Sequence, residues 1–190
     1  MLNTFVVHVE NKPGVLTRVA SLFRRRAFNI DSLTVGRTEK PEVSRMTIVV
    51  DADRDGALRV EANLYKLVNV LLVENITGKP SICRDLAIIK LSASHAERSQ
   101  ILEVVHVFRA RVVDFDTDSL TVEMTGSEEK IDRLLKVLRP YGILEMVRTG
   151  VVAMRRGTKV QQQEAAAADA AASPNGAANM IADDSVSYSV

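Results

Sequence analysis

The segment best equipped for chemistry is Glu10-Asn11-Lys12-Pro13-Gly14-Val15-Leu16. It lies where an alternating apolar run hands over to a helical one. A helix that starts there presents free backbone N–H groups and a partial positive charge, a ready seat for a carboxylate. Gly14 lets a ligand approach the backbone closely, and the Asn11 amide can both donate and accept hydrogen bonds. A free amino acid needs such elements at its α-carbon end: donors for its carboxylate and an acceptor for its ammonium. By spacing alone the preferred reading is plainer, a strand-to-helix turn, since turns use Asn, Pro and Gly routinely. A second segment, Phe28-Asn29-Ile30-Asp31-Ser32-Leu33-Thr34-Val35, mixes polar and apolar residues in a way a simple core strand would not. Taken alone, it reads as an edge or bulged strand with solvated Asn29 and Asp31.

Other chemistries find little support. No Gly-x-Ser-x-Gly elbow is present, although spacing alone does not exclude a Ser–His–Asp triad. Neither Gly-x-x-x-x-Gly-Lys-Ser/Thr nor Gly-x-Gly-x-x-Gly occurs. The carboxylates are spread over surface-like positions and read as solvated faces. His8, His95 and His106 show no helical pair spacing, and the single cysteine, Cys83, rules out an intramolecular disulfide framework. One cysteine fits a reducing cytoplasm. Twenty-five Lys and Arg against 24 Asp and Glu leave a formal charge of +1, no electrostatic footprint for nucleic acid or an anionic membrane. The longest apolar stretches fall far short of the roughly 18–20 residues of a membrane span. Met1-Leu2-Asn3-Thr4 lacks the basic region and longer apolar run of a signal peptide. The expectation is a cytoplasmic protein.

The elements that must position these residues follow from periodicity. Phe5, Val7 and Val9 alternate with Val6, His8 and Glu10, giving a first strand. Val15, Leu16, Val19, Ala20, Leu22 and Phe23 recur at helical spacing across 14–26. Residues 28–37 and Met46, Ile48 and Val50 form a hairpin about Glu39-Lys40-Pro41-Glu42. A second helix follows Asp51-Ala52-Asp53, with Leu58, Glu61, Leu64, Tyr65 and Val68 near one face. Val70–Ile76 is a last strand, and the order is βαββαβ, the split-βαβ of ferredoxin-like folds.

Gly78-Lys79-Pro80-Ser81 breaks the pattern, and the order then repeats. Leu86–Leu91 is a strand, and Ala96, Ile101, Val104, Val105 and Phe108 mark a helix. Arg111–Phe115 and Leu120–Met124 pair across Asp116-Thr117-Asp118. Ser127 caps a helix with Glu128 and Glu129 in its first turn and Ile131, Leu134, Leu135 and Leu138 on its apolar face. Pro140-Tyr141-Gly142 stops it, and Ile143–Ala153 closes the unit as one strand. The fold class is α+β: two tandem ferredoxin-like βαββαβ domains, 1–77 and 83–157. Apolar residues make up 46% but aromatics only 4%, so both cores must be built from Val, Leu, Ile and Met. From 158 to 190 an Ala- and Gln-rich stretch without apolar period reads as a disordered tail.

Together with Ser44-Arg45-Met46-Thr47-Ile48, the two segments make residues 4–76 resemble an ACT domain, the small-molecule-sensing module attached to many amino-acid-pathway enzymes. More narrowly, Asn11-Lys12-Pro13-Gly14-Val15-Leu16, Phe28 to Val35 and Ser44-Arg45-Met46-Thr47 resemble the regulatory small subunits of acetolactate (acetohydroxyacid) synthase. Arg84-Asp85-Leu86, Phe108-Arg109-Ala110 and Arg148-Thr149-Gly150-Val151-Val152-Ala153 resemble that family's second domain. The resemblance covers about residues 2–157.

The resemblance implies a chain that is not itself an enzyme. It implies a separate, large catalytic subunit that holds thiamine diphosphate, magnesium and flavin (FAD) and condenses pyruvate with pyruvate or 2-oxobutyrate. The small chain activates that partner and confers feedback inhibition by a branched-chain amino acid, usually valine. In the family the effector lies between the ACT domains of a small-subunit homodimer. The matching positions are Asn11, Gly14, Val15 and Leu16 of one chain with Asn29 and Ile30 of the other. Backbone N–H groups of Gly14 to Leu16 would take the carboxylate, the Asn side chains would fix the polar end, and apolar neighbours would receive the side chain. Two other readings stand beside it. A stand-alone ACT sensor acting on another enzyme or on transcription is opposed by the matched second domain and the lack of a helix-turn-helix signal. An enzyme in its own right has no motif behind it.

Overall fold

The computed structural model describes residues 1–157; the tail expected at 158–190 lies outside the described residues. In the first unit, β1 (Leu2–Glu10), α1 (Val15–Arg25), β2 (Ile30–Arg37), β3 (Val43–Asp51), α2 (Arg54–Leu64) and β4 (Val70–Asn75) run in the expected order. They form an antiparallel sheet ordered β2-β3-β1-β4. Period-2 alternation sends Phe5, Val7, Val9, Met46, Ile48 and Val50 to one face. There they meet Val15, Val19, Leu22 and Phe23 of α1 and Ala57, Val60 and Leu64 of α2. Each large aliphatic or aromatic side chain fully buried in that core contributes about 1.5–3 kcal/mol.

The second unit repeats the plan with β5 (Ser81–Ser92), α3 (Arg98–Phe108), β6 (Arg111–Phe115), β7 (Ser119–Gly126), α4 (Glu128–Leu138) and β8 (Ile143–Arg148). Its sheet is ordered β6-β7-β5-β8. Ala87, Ile89, Leu91, Leu120, Val122 and Met124 face Ile101, Val105, Ile131, Leu134 and Leu138. No helix among the described residues is long and apolar enough to cross a membrane.

Four expectations need correction. The inward face of α2 is Ala57, Val60 and Leu64; Leu58 is 60% exposed, and Val68, beyond the helix end, 92%. The larger apolar residues suggested a helical phase that packing does not use. Leu16 and Ala20, read as part of α1's apolar face, are also exposed. Ser127 does occupy the N-cap position of α4, but its side chain makes no capping hydrogen bond, whereas Asp53 caps α2 by accepting from Gly56 N at 2.7 Å.

The fourth correction concerns the chain's return. Ile143–Ala153 is not one strand. It breaks at Thr149-Gly150-Val151, and β9 (Val152–Arg155) pairs instead with Ser81–Arg84 at the start of β5. Ala153 is thereby buried with Val6 and Ile76 on the face of the first sheet opposite its helices, beside Cys83 and Val151. The last strand of the second unit therefore closes the back of the first.

Candidate functional site

β1 ends at Glu10, and the chain then turns into α1 through four exposed residues. Asn11 is anchored to the β2–β3 hairpin twice: its backbone N–H donates to the Glu42 carbonyl at 2.7 Å and its side-chain Nδ2 to the Pro41 carbonyl at 2.9 Å. The amide is oriented by its donor, which leaves Oδ1 as the group it can offer a ligand. Gly14 is the N-cap of α1 with φ +80°, a left-handed backbone, and nothing lies within 4 Å of the position a Cβ would take. No acidic side chain occupies the first turn of α1. The Val15 N–H has only a long contact to the Lys12 carbonyl, at 3.4 Å. The helix N-terminus is thus polar, positive and open.

Beside it stands a small polar brace. Asn69 donates to the Glu10 carboxylate and accepts from Arg18, and Lys12 reaches Glu10 at 3.0 Å. The Asn69 amide, and after it Lys12, hold the Glu10 carboxyl below the usual carboxylate range. A negative charge is therefore neutralised next to the place where a ligand's carboxylate would arrive.

Val15 is buried in the first core, while Leu16 is 45% exposed on the outer face of α1. There, with Thr17, Ala20, Ser21 and Arg24, it lines a shallow open depression along the helix. Asn29 is exposed, and Ile30 packs partly on the core. Both open the edge strand β2, whose register slips at Asp31, so that Ile30 faces Val50 and Ser32 faces Val49. The plainer reading of this segment, an edge strand with a bulge, is therefore right about its structure.

Within one chain the six residues form two groups. Asn11, Gly14, Val15 and Leu16 sit together at one end of α1. Asn29 and Ile30 follow its other end, and eleven helical residues at 1.5 Å each hold the groups about 16 Å apart. A single chain keeps the two groups apart.

Asp85 was missed by reading all carboxylates as solvated. It is 3% exposed. Arg148 binds its Oδ2 through Nε at 2.8 Å and Nη2 at 2.6 Å, and the Thr149 hydroxyl lies 3.2 Å from its Oδ1. Arg148 also reaches Asp132 of α4 at 2.9 Å. The signal was parity, since Asp85 shares the inward phase of Ala87, Ile89 and Leu91. Among the described residues no group of three or more His, Cys, Asp and Glu side chains is placed to hold a metal ion.

Comparison with known proteins matches both units. Residues 5–72 match the family model of the AHAS small subunit-like ACT domain, and residues 84–157 that of the small subunit of acetolactate synthase. The acetolactate synthase small subunit of Mycobacterium leprae is 51% identical over 157 residues, spanning 83% of this chain and 93% of that protein. That of Mycolicibacterium smegmatis is 50% identical over 157 residues, spanning 83% and 92%. Among solved structures, the acetolactate synthase small subunit of Thermotoga maritima superposes with a TM-score of 0.78 at 34% identity, covering 83% of this chain and 99% of that one.

Proposed function

The chain belongs to the family of acetolactate synthase small subunits, the regulatory partners of a catalytic large chain, and from that premise we propose that it is a valine sensor. The sensor binds its effector between two copies of the first unit. The large subunit carries thiamine diphosphate, magnesium and flavin and joins two pyruvates into 2-acetolactate with loss of CO2. This chain supplies no catalytic group. It raises the partner's turnover and lowers it again when a branched-chain amino acid is bound.

The observation that carries this reading is the open N-terminus of α1. Gly14 leaves clear space above backbone N–H groups that have no acidic neighbour in the helix, and the Asn11 donor is occupied so that its acceptor is free. An α-carboxylate suits the N–H groups and an α-ammonium suits Oδ1 of an Asn. The separation of the half-sites supports a second copy as the source of Asn29 and Ile30, since β2 is an edge strand whose outer side can meet another chain.

Reconstitution tests the proposal. The chain alone should form no acetolactate from pyruvate, even with thiamine diphosphate and magnesium. Added to a large subunit it should raise acetolactate formation several-fold, and valine should suppress the gain. Valine-insensitive activation would remove the effector from this reading and leave the activator.

A further inference from the structure

The break between β8 and β9 is a close junction between the two units. Gly150 has φ +82°, and a Cβ there would lie 2.5 Å from Ser32 Oγ and 3.3 Å from Thr34 Oγ1 of β2. On either side of it the backbone is tied to those same two hydroxyls. The Val151 N–H donates to Ser32 Oγ at 3.1 Å, and the Thr34 hydroxyl donates to the Thr149 carbonyl at 3.2 Å. The Thr149 side chain faces the other way: its hydroxyl accepts from the Leu86 N–H at 3.2 Å and lies beside buried Asp85, which Arg148 fixes to α4 through Asp132. Three consecutive residues thus grip the first sheet through the Thr149 carbonyl and the Val151 N–H, and the second through the Thr149 N–H, which donates to the Leu86 carbonyl at 3.0 Å, and the Thr149 hydroxyl.

β2 carries both partners of this grip. Asn29 and Ile30 stand at its start, Ser32 and Thr34 follow directly, and the bulge at Asp31 lies between them. We propose that Thr149-Gly150-Val151 is a coupling strap through which effector occupancy at the start of β2 is passed to the second unit. The inference rests on the effector reading above. The bulge interrupts the ladder to β3 at Asp31, so this stretch of β2 is held less tightly there and a displacement at Ile30 carries along the strand to Ser32 and Thr34. The Gly150 backbone packs directly against the Ser32 and Thr34 side chains, with no side chain of its own between them, so a shift of β2 there presses on the strap. The Asp85–Arg148 pair, tied to α4 through Asp132, then displaces the second sheet with it.

The test uses the full chain reconstituted with a large subunit, in the variant Ser32→Ala/Thr34→Val. It deletes both hydroxyls and leaves Asn11, Gly14, Asn29 and Ile30 untouched. Valine binding by calorimetry should stay within about threefold of wild type, and activation without valine should be unchanged, since neither needs the coupling. Maximal inhibition by saturating valine should fall by about half or more. In the wild type, valine should also slow exchange of the Val151 amide proton, and the variant should lose that response. If the double variant is unstable on thermal melting, Ser32→Ala alone carries the test, because it removes one hydroxyl from an edge strand. Unaltered inhibition with unaltered binding would overturn the coupling alone, and so would loss of binding in the variants, which would make these contacts part of the site. Absence of valine binding to the wild type would overturn the effector reading and the strap together.

Discussion

The two units share a topology and treat their first helix in opposite ways. Both α1 and α3 are followed by a left-handed, non-glycine residue, Ala27 and Arg109, each with φ 55°. In both, the next residue reaches five back, Phe28 N to the Phe23 carbonyl at 3.1 Å and Ala110 N to the Val105 carbonyl at 2.9 Å. The beginnings differ. α1 starts at Gly14 with bare N–H groups. Before α3, Ser94 hydrogen-bonds to Glu97, so the chain's own carboxylate stands at the helix N-terminus. Arg98 then closes the loop, bonding the Ala93 carbonyl at 3.2 Å and the Asp116 carbonyl at 2.8 Å, with its guanidinium 4.8 Å over the Phe115 ring. A repeated fold does not repeat its helix starts, and of these two only α1 leaves its N–H groups open to an anion.

The buried polar position at the head of each sheet sharpens the contrast and carries the largest expected effect. Asn3 and Asp85 both stand two residues before the first inward side chain of their strand. Asn3 is neutral and donates to the Met1 and Ala52 carbonyls at 2.9 and 2.8 Å, whereas Asp85 is charged and paired. Asp85→Ala leaves Arg148 without its main partner and should cost about 3 kcal/mol, the low end for a broken buried pair because Arg148 keeps some solvent. Asn3→Ala should cost about 1–2 kcal/mol. Chemical denaturation of both variants checks the order, and equal losses would mean that the charge adds nothing.

Gly14→Asp makes the first helix start resemble the second by placing a carboxylate there. Valine inhibition should be abolished and activation kept, because the new charge repels the effector and its side chain fills the open space. A modest folding loss of about 1 kcal/mol should accompany it, since the left-handed backbone at Gly14 strains any side chain, Asp less than most. An inhibition curve beside a thermal melt checks both halves; full valine sensitivity would place the effector elsewhere. Asn29→Ala is milder. It deletes hydrogen bonds without adding repulsion, and valine affinity should fall by about ten- to a hundredfold, or roughly 1–3 kcal/mol. Sedimentation should show that valine strengthens self-association of the wild type and does so less for this variant.

The smallest effects test what the units share. Ala27→Gly and Arg109→Gly relieve the same left-handed strain, and each should stabilise by roughly 0.5–1 kcal/mol in thermal melts. A gain in one and not the other would show that the matching helix ends are held by different forces.

Much of this architecture was legible because apolar residues alternate cleanly in β5 and β7, where one face is buried and the other is not, and because Phe5, Val7, Val9, Met46, Ile48 and Val50 keep the same period although Val6, Thr47 and Val49 behind them are buried too. The phase of α2 was not. Leu58 and Tyr65 are larger than Ala57 and Val60, and residue size misled where packing against the sheet decided. Nor was the break at Gly150, which follows Arg148-Thr149 and precedes the apolar Val151-Val152-Ala153. The loop Asn11–Leu16 could be read because its residues are contiguous and its chemistry is local. Asn29 could be joined to it only through the resemblance, since no spacing in one chain brings together groups at opposite ends of a helix. Asp85 was hidden by a habit of reading carboxylates as solvated, against the parity of its own strand.

The path of β9 has a consequence for how the chain folds. Val6 and Ile76 finish their burial against Ala153, and the Thr47 hydroxyl accepts from the Ala153 N–H across 106 positions of sequence. Such a non-local contact forms late, after the loops between have closed. While the protein is being synthesised, the first unit therefore emerges with an apolar strip on its sheet that nothing yet covers. For that interval it is vulnerable to sticking to other nascent chains. Release of the final strand from the ribosome ends the exposure, and with it the period in which a chaperone would find something to hold.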